Sequence, residues 1–256
     1  MKLVRLLGSA EIDLMRVAGQ AAAELLALLG AQVRSGITTS HLDDLAVAWA
    51  VERGHKHAPF GYRGFPRSIC TSANSTITHG IPSAQDVLQE GDIVNCDVTP
   101  IVGGYCGDTS QTFRVGKISD EAEALVETTN SCLAAAIAVC KPGAYFGDIG
   151  AAIQKRAKIS GFSVVSSFTG HFIGRQMHIS PSVLHVGVAG TGMQMEPGMV
   201  FTIEPMINAG GPETRIEADG WTVRTIDGRW SAQCEHTVAI VEDGVEVLTR
   251  NERLGF

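Results

Sequence analysis

The feature that most constrains this chain is a spacing. Arg34-Ser35-Gly36 reappears as Lys141-Pro142-Gly143, Gly54 as Gly161, Gly91 as Gly198 and Gly103-Gly104 as Gly210-Gly211, each pair 107 positions apart. A constant offset through helical and strand-like segments alike predicts two αβ halves built on one plan and related by pseudo-twofold symmetry, the alternative being a coincidence of common glycines. The same offset lays Asp97 on Glu204. Two carboxylates thus take equivalent strand positions, where a site on the symmetry axis would draw its ligands.

Local patterning agrees. Ile12, Met15, Ala18, Ala22, Leu25, Leu26 and Leu29 recur at helical spacing, with Ser9 as a possible N-cap and Gly30 as a stop. A second helix is expected from Thr39 or Ser40 to just before Gly54. A loop rich in Gly, Pro and aromatics follows at 59–66, then a polar stretch to Pro82 and strand-like segments at 93–99 and 106–115. Helical patterns return at 121–139 and 147–159, and strand-like ones at 199–207 and 238–248. No linker interrupts the series, so one domain over 1–256 is expected, with halves at roughly 10–115 and 120–250.

Of 256 residues, 45% are hydrophobic, ample for a buried core, and the net charge of −7 offers no basic face for DNA or RNA. No apolar run approaches the roughly 20 residues that cross a bilayer, and the N-terminus lacks a signal-type apolar core. A soluble cytoplasmic protein is expected. Its six cysteines form no CxxC pair and are read as reduced thiols.

The chemistry concentrates in acids set among strands. Residues 95–109 read as two strands joined at a glycine turn; a turn centred between Val102 and Gly103 would set Asp97 directly opposite Asp108. Facing like charges repel and ask for a cation, unless both acids lie at a solvated hairpin end. Glu204 is the single acid in an apolar strand-like run, and a buried carboxylate must be paired, neutralised or metal-bound. Glu235 opens another apolar strand, or else decorates an edge. His79, His171 and His178 fall in loop-like stretches, as ligands or as hydrogen-bonded structural residues. Four acids with one imidazole would suit two divalent ions, whose charges neutralise the acids and activate a water.

With these residues in view the chain resembles the bacterial, type I methionine aminopeptidases along essentially its whole length. The stretches that carry the likeness are 68–74 leading to His79-Gly80-Ile81-Pro82, Asp97, Gly107-Asp108-Thr109-Ser110, Gly170-His171, Phe201-Thr202-Ile203-Glu204-Pro205 and Glu235-His236-Thr237. The resemblance implies an α+β pita-bread fold, two pseudo-symmetric αβ halves with a central antiparallel sheet. It implies a metal pair, Co, Mn, Fe or Zn, on Asp97, Asp108, His171, Glu204 and Glu235. His79, His178 and Glu204 would be catalytic: Glu204 moving the water's proton to the leaving amine, His178 bonding the oxyanion and His79 touching the scissile amide. Tyr62, Phe65, Cys70, Met177 and Trp221, with both imidazoles, would line the methionine slot. The implied substrates are nascent chains beginning with Met, handled by a monomer that touches the ribosome transiently.

The likeness has gaps. Phe172 and Gln176 replace glycines of the family's loop, Met177 replaces an aromatic, and Ile179-Ser180 replace acids. A large ring after His171 is expected to narrow the cleft. Within the same fold the rival is an Xaa-Pro aminopeptidase or prolidase, which carries an extra N-terminal domain that the stretch before Ile93 is too short to hold. A non-catalytic pita-bread binding protein is the rival of another class, and intact ligands speak against it.

Overall fold

The computed structural model describes residues 4–251. Helix α1 (Ser9–Gly30) buries Ile12, Met15, Ala18, Ala22, Leu25, Leu26 and Leu29, the whole predicted stripe. Its cap is Gly8, whose N–H donates to the Glu11 carboxylate at 3.4 Å; Ser9 is already helical. Helix α2 (Thr39–Arg53) begins on the Thr38 hydroxyl, which accepts from the His41 N–H at 3.2 Å, and stops at left-handed Gly54. Helices α3 (Asp120–Ala138) and α4 (Phe146–Ile159) follow the same order in the second half.

The glycine pairs explain the offset. Gly36 and Gly143 have φ of 86° and 83°, Gly54 and Gly161 66° and 77°, Gly91 and Gly198 97° and 93°. Each pair therefore makes the same left-handed turn at the same place in its half, a conformation that disfavours a Cβ. The last pair breaks the rule: Gly103 and Gly104 are left-handed and Gly210 and Gly211 are not. There the halves diverge, because the second inserts a hairpin, Thr214–Ile216 with Val223–Thr225, before its long strand.

The central sheet is antiparallel along its main path, in the order Ile179–Val183, Gly170–Phe172, Val200–Ile203, Ser231–Val241, Thr109–Arg114, Ile93–Val98 and Cys70–Ala73. Alternation sorts its faces. Val94, Cys96 and Val98 join the apolar cluster of α1 and α2, while Cys234, Val238 and Ile240 join that of α3 and α4. Asp97 and Glu235 alternate with these residues and so take the opposite face of the sheet.

Several strands differ from expectation. The 106–115 segment is two strands, Tyr105–Cys106 and Thr109–Arg114, and 199–207 breaks after Ile203 at Glu204-Pro205, since proline has no N–H for the ladder. The 238–248 segment is a hairpin of Ser231–Val241 with Gly244–Val247. His171 lies in the strand Gly170–Phe172, not in a loop. Val102 pairs with Tyr105, so the hairpin turns between Gly103 and Gly104 and Asp97 faces Ser110 rather than Asp108. The shift is two residues, and strand periodicity is two, so both acids still share a face. All six cysteines are buried and free. Among the described residues no helix is long and apolar enough to cross a membrane.

Candidate metal centre

One row of the sheet organises the site. Cys70 pairs with Asp97, Asp97 with Ser110 and Ser110 with Glu235 across four neighbouring strands, and Glu204 follows the Ile203–His236 pair of the next strand. Glu235 is no edge residue. Its strand lies between Val200–Ile203 and Thr109–Arg114, and it is 2% exposed. His171 Nε2 stands 3.6 Å from Asp108 Oδ2 and 3.5 Å from Glu204 Oε1. Ligand atoms of Asp108, His171 and Glu235 all lie within 4.8 Å of one another.

Neighbours orient these groups. The His171 Nδ1 faces the Phe172 carbonyl at 3.2 Å, and a proton there leaves the Nε2 lone pair toward the acids. Thr202 accepts the His171 backbone N–H at 3.0 Å and donates to Glu204 Oε1 at 2.8 Å, tying two candidate ligands through one hydroxyl. Thr99 donates to Asp108 Oδ1 at 2.8 Å, and the Asp108 N–H reaches the Thr237 hydroxyl at 3.3 Å.

The electrostatics ask for positive charge. Burial raises Asp97 to about 7. It also carries Asp108, Glu204 and Glu235 well above the usual carboxylate range, with the neighbouring acids pushing the same way. No arginine or lysine is paired with any of them among the described residues. Burial, then His178, lowers His171 to about 3, so it supplies no compensating proton. Hard oxygen donors plus one neutral imidazole suit divalent cations, and the residues fit the ions that the resemblance implies.

Beside the acids is a slot. Its lining contains every residue named from the sequence: Tyr62, Phe65, Cys70, His79, Asp97, Asp108, His171, Met177, His178, Glu204, Trp221 and Glu235, with Pro59 and Thr99 in addition. The rings interlock. Phe65 meets Trp221 edge-on at 5.2 Å, Tyr62 meets His178 at 5.1 Å and His171 meets His178 at 4.2 Å. Asp43 of α2 accepts the Ser68 and Ile69 N–H groups at 2.8 and 3.2 Å, securing the chain that leads into Cys70.

His79 holds the unusual φ of 56°, beside Gly80, whose Cβ position the Thr71 carbonyl would occupy. Burial, then His178, lowers its pKa to about 4. A non-glycine residue left-handed and half-buried at a cleft wall is strain of the kind that collects at functional sites. His178 is more exposed and is lowered too, by partial burial and then by Arg63.

Phe172 corrects an expectation. It is 3% exposed and packs against Phe146 and Phe201 at 5.5 and 5.6 Å, on the helix side of the sheet. It fills the core behind His171 and leaves the cleft alone. Gln176 is exposed and outside the slot lining.

Sequence reasoning missed the residues that hold the candidate ligands: Thr99, Thr202, Gln233 and His185. Gln233 Nε2 lies 3.5 Å from Glu204 Oε2. Thr202 and Gln233 stand two positions from Glu204 and Glu235, and that same-face spacing was the available signal. His185 had none.

Comparisons agree with this arrangement. The model of Metallopeptidase family M24 matches residues 13–242. Methionine aminopeptidase A of Synechocystis sp. is 55% identical over 249 residues, 97% of this chain and 98% of the relative. The crystal structure of methionine aminopeptidase from Rickettsia prowazekii superposes with a TM-score of 0.95 at 43% identity, covering 97% of this chain and 100% of that one. An Xaa-Pro dipeptidase from Bacillus anthracis shares the fold alone, with a TM-score of 0.77 at 21% identity over 96% of this chain and 62% of its own. By its matched length, its identity to these relatives and its shared fold, the chain belongs to metallopeptidase family M24, among the methionine aminopeptidases.

Proposed function

We propose that this protein removes the N-terminal methionine from nascent polypeptides, as one catalytic domain over 1–256 whose halves, roughly 10–115 and 120–250, meet at the acids. The observation that carries the reading is the juxtaposition of five candidate ligands, Asp97, Asp108, His171, Glu204 and Glu235, with an apolar, sulfur-tolerant slot. These five would hold two divalent ions, drawn from Co, Mn, Fe and Zn. Such ions, when bound, supply charge that neutralises the acids, polarises the scissile carbonyl and activates water.

The chain's own groups supply the rest. Glu204, oriented by the Thr202 hydroxyl, takes the proton of the attacking water and delivers it to the leaving amine. His178 and His79, both kept neutral, donate N–H groups to the developing oxyanion and the scissile amide. Phe65, Met177 and Trp221 enclose the methionine side chain, and a lysine there would lose its hydration without gaining a partner. The protein is proposed to act as a cytoplasmic monomer in transient contact with the ribosome.

Cleavage of Met-Ala-Ser beside Arg-Pro-Pro, each with added Mn or Co and again with chelator, tests this. Metal-dependent release of Met from the first peptide alone is expected. Cleavage of Arg-Pro-Pro in preference, or metal-independent turnover, would overturn the assignment.

A further inference from the structure

His185 lies two residues beyond the strand Ile179–Val183 and is 1% exposed. Its Nε2 accepts two backbone hydrogen bonds, from the Gly170 N–H at 3.2 Å and from the Glu204 N–H at 3.3 Å. Gly170 precedes His171, and Glu204 is itself a candidate ligand. One ring nitrogen thus ties together the backbones that carry two ligands from different strands. Glu204 sits where the ladder breaks before Pro205, so its N–H would otherwise be a buried donor without a partner. Gly170 has no room for a side chain, since a Cβ there would run into the Thr202 carbonyl. The two strands are therefore held close at this point, with His185 across their ends.

The acceptor's chemistry is specific. A carboxylate here would add negative charge beside Glu204, and a hydroxyl is too short to reach from the same Cα. A neutral imidazole accepts in the ring plane and brings no charge, provided its proton is on Nδ1. The Phe168 backbone lies near the ring, and Nδ1 itself closes no full hydrogen bond.

We infer that His185, in the tautomer protonated at Nδ1, is a positioning residue for the metal centre: it sets the spacing of His171 and Glu204 by binding both backbones at Nε2. The inference rests on the ligand set proposed above. It adds a supporting residue that itself touches neither ion nor substrate.

The test compares full-length wild type with His185→Phe and His185→Gln. Phe fills the ring's space without an acceptor, whereas Gln can place Oε1 near the position of Nε2. Each protein is stripped of metal, melted, and titrated with Mn(II) in a calorimeter. The Mn(II) Kd should rise about 10–100-fold in His185→Phe, the usual consequence of losing support behind a ligand, and be largely restored in His185→Gln. A filler role would instead leave Mn(II) affinity unchanged in both variants, with any loss of metal-free melting temperature greater in His185→Gln, which fills the ring's space less well. Wild-type affinity in His185→Phe, or equal loss in both variants, overturns the inference. Should His185→Phe not fold, the wild-type ring 15N signals decide: unprotonated Nε2 is expected, and a proton on Nε2 overturns it. Failure of the wild type to bind Mn(II) would remove the ligand set rather than the role of His185.

Discussion

At the scale of single residues, Asp97 and Phe172 show how little position in the sequence says about direction. Asp97 turns into the acid cluster and Phe172 away from it, although each lies in a strand beside a candidate ligand or is one. Asp97→Ala should lower bound metal below that of the wild type by elemental mass spectrometry. Activity should fall by more than the roughly 10–100-fold that follows loss of a ligand's outer partner. Unchanged stoichiometry and turnover would end the two-metal reading. Phe172→Ala should cost about 3–5 kcal/mol in denaturant unfolding, as large-to-small changes of a core aromatic do, with no selective gain on longer peptides. A gain on an octapeptide over a tripeptide would return Phe172 to the cleft.

Among elements, the glycine turns allow a comparison of equivalent positions. Gly91 and Gly198 share a left-handed φ, but a Cβ at Gly91 meets only the Lys117 carbonyl at 3.8 Å, whereas at Gly198 it meets the Leu7 carbonyl at 2.9 Å. Gly91→Ala should therefore cost about 1–2 kcal/mol of backbone strain, and Gly198→Ala more, because strain and overlap add. Equal shifts of the unfolding midpoint would mean that the segment around Leu7 yields freely. The helices were legible from their apolar stripes, and α2 also from its left-handed stop at Gly54, whereas Gly30, expected to stop α1, is its last helical residue. The strand breaks at Glu204-Pro205 and before Thr109 were not, since apolar runs conceal where pairing ends.

Across the whole molecule, buried acids make stability a function of pH and of metal. Asp97 has its ordinary value of 3.8 raised to about 7, so the folded metal-free protein binds a proton more tightly than the unfolded chain. Unfolding then releases protons, and stability must fall as pH rises from about 4 through about 7. Asp108, Glu204 and Glu235, raised as well, act in the same direction. The stripped protein should melt at progressively lower temperature across that window. Ions in hundredfold excess over Kd should restore about 2.7 kcal/mol, since they bind only the folded state. Melting curves with chelator and with Mn(II), at pH 5 and pH 8, check both; identical curves would count against the site.

The sequence by itself determined the helices, the two-half plan and the acids and histidines that gather at the site, because apolar periodicity, repeated glycines and isolated acids are local properties of a chain, while Tyr62, Phe65, Cys70, Met177 and Trp221 were named through the resemblance alone. Resemblance assigned those residues their roles. Only the tertiary structure decided the register that puts Asp97 beside Ser110, the direction of Phe172, and the support given by Thr202, Thr99 and His185. These depend on which strand ends meet in space. His185 and Glu204 are brought within hydrogen-bonding distance by the return of a strand, and no spacing along the chain encodes a contact whose distance is set by packing.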